Sequence, residues 1–165
     1  MTVSKHILEL ETTIDDPRQG LSDEIFLLAS RIVPMINVDL LIKKPGLGTL
    51  LTWREEHDGQ SGWHVPGGII RWQETIATRI HEVARLELGT AVKFKPTPLV
   101  IKEFILPKQR NRSHFISMLF KCRIIDNINE NIRYREGRIL PGQWLWHKQC
   151  PENLLPIHEI YRSFI

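Results

Sequence analysis

Apolar residues recur along this chain with two spacings, and the switch between them marks its elements. From Glu74 to Leu88 nothing breaks a helix, and Gly89 stops it in the usual C-terminal way. Ile76, Ile80, Val83 and Ala84 fall at i, i+4, i+7 and i+8, a stripe that faces a core. Val33 to Ile42 is β-branched and aliphatic and reads as a strand. Lys44-Pro45-Gly46 is a turn, and Thr49 to Glu55 is a second strand, so the two are expected to form a hairpin. Further strands are expected just before Pro66, at Leu99 to Leu106, at His114 to Ile125 and at Gln143 to His147. Ser22 is placed to cap a short helix reaching about Ile32, with Asp23 and Glu24 in its first turn. Pro151-Glu152-Asn153 is expected to open a C-terminal helix with Leu154, Leu155, Ile157, His158, Ile160 and Tyr161 on its apolar side. Strands and helices mix without strict alternation, which favours an α/β (α+β) domain with a mixed sheet between helices.

Three connections stand out. Pro66-Gly67-Gly68 breaks regular structure, because proline fixes φ and the glycine pair lets a ligand or ion approach the main chain. Residues 56–62 read as a polar loop and 126–138 as a charged, strand-poor loop. The connection from Pro107 to Ser113 carries Lys108, Arg110 and Arg112; it suits a solvated hairpin tip or a clamp for phosphate or sugar. Residues 1–20 have turns at Asp15-Asp16-Pro17 and Gly20 and are expected to be an extension to a single domain at 21–165.

One residue disturbs the helical stripe. Glu87 lies eleven positions after Ile76, within about 20° of the same line. A carboxylate there is costly unless paired, and the last helical turn disfavours negative charge. It is either a metal ligand or a last-turn side chain bent to solvent.

Composition narrows the function classes. The chain has 165 residues, 42% hydrophobic and 25% charged, enough for one domain with a real core. Its net charge of +3 is spread among acids, so no nucleic-acid footprint emerges. Cys122 and Cys150 form neither a disulfide framework nor a metal spacing. No signal peptide or membrane-length apolar run is visible, so a cytoplasmic setting is expected.

The stretch Gly62 to Thr90, GWHVPGGIIRWQETIATRIHEVARLELGT, resembles a degenerate Nudix box. Gly68, Glu74, Glu87 and Gly89 fall on that pattern without a gap. Glu82 stands where the box has Arg, and Val83 and Leu86 stand where it has metal-binding Glu. The GDP-mannose mannosyl hydrolase branch of the family is reduced in a similar way. The likeness to that branch extends to Leu21, Phe26, Arg31, Pro34 and Asp39, to Arg54, Gln60 and Trp63, to the strand opening at His114, and more loosely to Leu154-Leu155, His158 and Arg162.

That resemblance implies a curved mixed sheet sandwiched between helices and a homodimer. It implies Mg²⁺- or Mn²⁺-dependent hydrolysis of a nucleotide sugar, with water attacking the anomeric carbon. Gly67 (through its carbonyl), Glu87 and Glu136 would hold the metal, with Gln143 as a second choice for the last. Arg54 would steady the diphosphate, Leu21 and Phe26 would contact substrate, and His114 or Glu136 would assist proton transfer. From the residues alone, Arg54 and His114 equally suit surface strand positions, Phe26 a helix core, and Glu74 a role in orienting its loop. Two departures matter: no His lies between Ile124 and Trp146, and Ile69 replaces a second Arg. The rival readings are a Nudix-fold binding module with little or no activity, and a nucleoside-diphosphate pyrophosphohydrolase.

Overall fold

The computed structural model describes residues 2–56 and 59–165. Its centre is β1 (Met35–Lys44), buried from Val38 to Ile42. Burial on both faces explains why this strand reads as a nearly continuous apolar run. Leu40 and Ile42 face one core with Val38, Ile80, Val83, Leu88 and Trp144, while Leu41 faces another with Leu51, Trp63, Leu119 and Tyr161.

β1 is paired differently along its length. At its end it forms the expected hairpin with β2 (Gly48–Glu55), in register Lys43↔Thr49 and Lys44↔Gly48. Earlier, at Asn37↔Ile69 and Asp39↔Gly67, its antiparallel partner is instead β4 (Gly67–Ile69). β1 and β2 therefore diverge from the hairpin, and β2 turns to β3 (Ser61–His64) and to β8 (Trp144–His147), both antiparallel. On its other side β1 runs parallel to β7 (His114–Ile124) over eight aligned pairs, from Met35↔Phe115 to Ile42↔Cys122. β7 shares its far edge between β5 (Val92–Phe94) and β6 (Val100–Ile105). Among the described residues the result is an eight-stranded mixed sheet. The divergence of β1 from β2 leaves a cleft beside Asp39 and Gly67.

The expected helices form with shifted ends. The helices in chain order are α1 (Val3–Glu11), α2 (Asp23–Ser30) and α3 (Ile76–Leu88), the last two of them expected. Ser22 caps α2, its Oγ accepting from Ile25 N. α3 starts two residues later than the periodicity predicts, because Thr75 caps it by accepting from Thr78 N at 3.0 Å. Glu74 is thereby left outside, and Ile76, expected on the core stripe, is 39% exposed in the first turn. Gly89 closes α3 at φ 61°, the left-handed angle a residue with a Cβ resists. The C-terminal helix opens at Pro156 instead of Pro151 and is a 3-10 helix to Phe164. β4 and β5, three residues each, were not expected. Nor was α1, which lies in the N-terminal extension with no buried residue. Positions 57–58 of the expected polar loop lie outside the described residues. No helix among the described residues is long and apolar enough to cross a membrane.

Candidate functional site

The divergence of β1 and β2 opens a cleft of about 590 Å³. Its floor is Asp39 on β1, Arg54 on β2 and Gly67 on β4. Its outer wall comes from Gly20, Leu21 and Phe26 before and within α2, facing Arg71 and Trp72 after β4. Trp72 is 57% exposed, and the next residue, Gln73, takes a left-handed φ of 55°. The Arg71 guanidinium donates to Arg18 O at 3.2 Å, tying the two walls together. A narrow inner extension of about 30 Å³ reaches Ser117, His158 and Tyr161 between the sheet and the C-terminal helix.

Asp39 is 3% exposed, in the middle of an otherwise aliphatic strand. Its Oδ2 accepts from Ser117 Oγ and from Tyr161 OH, the latter at 2.8 Å. Burial pushes its carboxyl up to about 6, against the pull of those hydrogen bonds and of the Arg54 guanidinium. Its Oδ1 lies against Gly67, where a Cβ would collide with it. Glycine is thus required at 67 by a close approach, not by a turn.

Glu87 reaches the same glycine from α3. Gly67 N donates to its Oε1 at 3.1 Å, and Thr52 Oγ1 donates to its Oε2 at 2.9 Å. Burial raises its proton affinity and the nearby Asp39 charge adds to this, while Arg54 and the two donors oppose them. Gly67 therefore lies between two carboxylates, and the charge of Asp39 disfavours ionisation of Glu87. Two buried imidazoles complete the surroundings. His64 hydrogen-bonds Thr52 Oγ1, and His158 packs edge-on to it with ring centres 5.4 Å apart. Burial first, and Arg54 second, holds His64 well below its ordinary range and His158 down to about 3, so both are neutral at pH 7.

No protein-family model matches the chain. Low-salt glycan biosynthesis protein Agl8 of Haloferax volcanii is 36% identical to it over 78 residues, 47% of this chain and 49% of that protein. The match thus spans about half of each. Among solved structures, a MutT Nudix hydrolase from Burkholderia pseudomallei superimposes with a TM-score of 0.61 at 19% identity, covering 79% of this chain and 97% of that one. A MutT protein from Methanosarcina mazei Go1 gives 0.57 at 19% identity, covering 79% and 90%. A UDP-X diphosphatase gives 0.55 at 16% identity over 99% of this chain and 68% of that one. The chain has the Nudix fold.

Within that fold the box residues separate by role. Glu74 Oε2 accepts from Arg71 N at 2.9 Å and from Arg79 Nε at 2.7 Å, in a nearly buried ion pair that shapes the loop before α3. Val83, where the box has its first metal-binding Glu, is 3% exposed and packs in the core beneath Gly68. Leu86, where it has the next, is 57% exposed. Glu82 faces outward and pairs with Arg85.

The other expected site residues fall in three places. Leu21, Phe26, Arg54 and Gly67 line the cleft, and Glu87 touches it through Gly67. His114 sits at the start of β7, paired with Glu103 at 3.0 Å, and is not among the residues lining the cleft. Glu136 is exposed in the loop before β8, also off the lining, and Gln143 accepts from Leu140 N inside that loop. Among the described residues no three acidic, His or Cys side chains cluster as a ready-made metal site. Asp39, Glu56, Arg79 and His158 also line the cleft; Asp39 and His158 were matched only as positions of the resemblance, His158 also as part of the apolar side of the C-terminal helix, and none was expected as a site residue. Only Asp39 carried a local signal, an acid in the middle of an apolar strand.

Proposed function

We propose that the cleft binds a nucleoside-diphosphate sugar and hydrolyses it in the presence of Mg²⁺ or Mn²⁺, with water attacking the anomeric carbon. The observation that carries this reading is the meeting of Asp39 and Arg54 at the floor of a cleft with an aromatic rim, with Glu87 hydrogen-bonded to Gly67 of that floor. The naming of Agl8 for glycan biosynthesis and of a fold neighbour as a UDP-X diphosphatase supports a nucleotide-linked sugar.

Mg²⁺ needs hard oxygen donors and is commonly bound by one or two carboxylates plus substrate phosphates. Glu87 meets that minimum: its side chain is 24% exposed, each oxygen has a lone pair beyond its one hydrogen bond, and the cation would relieve the repulsion from Asp39. When bound, the cation neutralises phosphate oxygens. Arg54, on the cleft floor, steadies the charge that develops on the departing diphosphate. Asp39, fixed by Ser117 and Tyr161, accepts the proton of the attacking water. The water oxygen bonds to the anomeric carbon as the bond from that carbon to the phosphate oxygen breaks, releasing sugar and nucleoside diphosphate. The packing of Val83 in the core leaves no multi-carboxylate cluster on α3, which weighs against attack at phosphorus. The same sparse cluster favours one rival, a binding module that retains the cleft without turnover.

Incubation with Mg²⁺ and a panel of nucleotide sugars tests this. Free sugar supports the reading; sugar phosphate means attack at phosphorus; binding without turnover means the module. Glu87→Gln is expected to abolish metal-dependent turnover, and an unchanged rate would remove the metal site.

A further inference from the structure

We propose that Arg112, on the loop between β6 and β7, is a second cation that grips the diphosphate opposite Arg54. This rests on the reading of the cleft as a diphosphate site. Arg112 lines both the cleft and its inner extension, although it comes from an element far from the box in sequence.

Three observations converge on it. Its Nε is buried and has no hydrogen-bond partner among the described residues. The side chain is otherwise 31% exposed, and a donor left this way favours an acceptor supplied by a ligand. Second, the loop is held in a costly shape to present it. Arg112 takes φ 51°, a left-handed angle unfavourable for a long side chain. Two ties to α2 and its C-terminal cap hold that angle: Arg112 N donates to Ser30 Oγ at 3.1 Å, and Arg31 donates to Asn111 Oδ1 at 2.9 Å. Third, Arg112 and Arg54 are spaced by one carboxylate. Glu56 meets Arg54 through Oε1 at 3.6 Å and Arg112 through Oε2 at 3.2 Å. Two guanidinium groups thus share the one acid Glu56, with the Asp39 carboxylate on the same lining. Adjacent phosphates present the same kind of oxygen to the same forks. Phe104 and Phe115, stacked with ring centres 5.1 Å apart, line the inner extension with Arg112 and provide an apolar wall that strengthens such contacts.

Calorimetric titration with inorganic pyrophosphate, GDP and UDP tests the assignment without turnover. Arg112→Gln is expected to weaken binding of pyrophosphate and of the tighter nucleotide by about 10- to 100-fold, and to flatten the salt dependence of binding. Arg112→Lys, which keeps the charge and loses the fork, is expected to fall between. Full affinity in a folded Arg112→Gln protein would overturn the inference. If that variant does not fold, the wild type decides: pyrophosphate should protect Arg112 from phenylglyoxal, read by mass spectrometry, and unprotected modification in the presence of bound pyrophosphate would overturn it. A wild type that binds none of the three ligands would instead sink the diphosphate reading of the whole cleft, and this inference with it.

Discussion

Replacing Asp39 by asparagine should stabilise this protein while removing its activity. The carboxyl is 3% exposed, and burial lifts it from an ordinary 3.8 to about 6. A group whose folded pKa is raised binds its proton more tightly in the native state. Below pH 4 both states are protonated and the carboxyl costs nothing. As pH rises through 6 the folded form must also ionise, and stability is lost. At about 1.4 kcal/mol per pH unit, the loss above pH 7 is about 3 kcal/mol. An asparagine oxygen in the place of Oδ2 keeps both hydroxyl donors, Ser117 and Tyr161, and carries no charge to desolvate. For a chain of this length, about 3 kcal/mol corresponds to roughly 6–12 °C in Tm.

The measurement is denaturant or thermal unfolding of metal-free protein, wild type beside Asp39→Asn, from pH 4 to pH 8. The two should be nearly equal at pH 4, separate between pH 4 and 6.5, and hold a constant gap above pH 7 with the variant the more stable. Activity towards nucleotide sugars should fall to background in the same variant, since the proton acceptor is gone. A variant less stable than the wild type at pH 7.5, or a gap that does not change with pH, would refute the account of a strained, ionised carboxylate on the cleft floor. Sites that trade stability for function behave in this way.

Other perturbations test the scaffold around it. Glu74→Ala strands the buried Arg79 charge and leaves Arg71 N without its acceptor, so it should cost about 3–5 kcal/mol in chemical denaturation. Gly67→Ala drives a methyl into Asp39 Oδ1 and to 3.0 Å from Val38 O; about 1–3 kcal/mol of destabilisation with loss of turnover is expected, seen by unfolding and by assay. Trp72→Ala should raise KM by roughly 5- to 150-fold with kcat little changed, the signature of lost stacking on a base, and Trp72→Phe should restore most of it.

What could be read before the fold was known, and what could not, follows from how far apart the partners lie in sequence. α3 was legible because nothing interrupts it and Gly89 ends it, and the β1–β2 hairpin because its turn chemistry is local. The anomaly of Glu87 on an apolar stripe was legible too, and the structure resolves it with donors from Thr52 and Gly67. Ile76 misled because periodicity carries no information on where the cap falls, and Thr75 begins the helix where the sheet no longer covers its first turn. β4 was hidden for a subtler reason. Pro66-Gly67-Gly68 reads as a breaker, yet Gly67 is glycine because Asp39 presses on it, and Gly68 because Val83 would stand 2.9 Å from any Cβ there. Those are contacts between elements, and a strand made of glycines for packing looks in sequence like a turn.

The same distinction explains how a box stripped of two carboxylates can still border an acidic site. On α3 the stripped positions are settled by packing and exposure: Val83 belongs to the core and Leu86 to the surface. The remaining charge does not come from the helix. Asp39 sits on a strand whose parallel partner supplies Ser117 and whose covering helix supplies Tyr161, 122 residues away. Arg54 and Arg112 meet at Glu56 from two hairpins. Apart from Asp39, an acid in an apolar strand, and Arg112 in a basic loop, these side chains look ordinary in their own segments, a strand Arg, a tail Tyr. They acquire strained ionisation and unmet hydrogen-bonding capacity only where β1 parts from β2. A linear motif records the helix and the glycine pair because those are contiguous; the groups brought in by divergence of the strands have no fixed spacing to record. It follows that exchanging residues on α3 towards a full box would not by itself create a carboxylate cluster: a Glu at 83 would enter the apolar core against Gly68 before it reached the cleft.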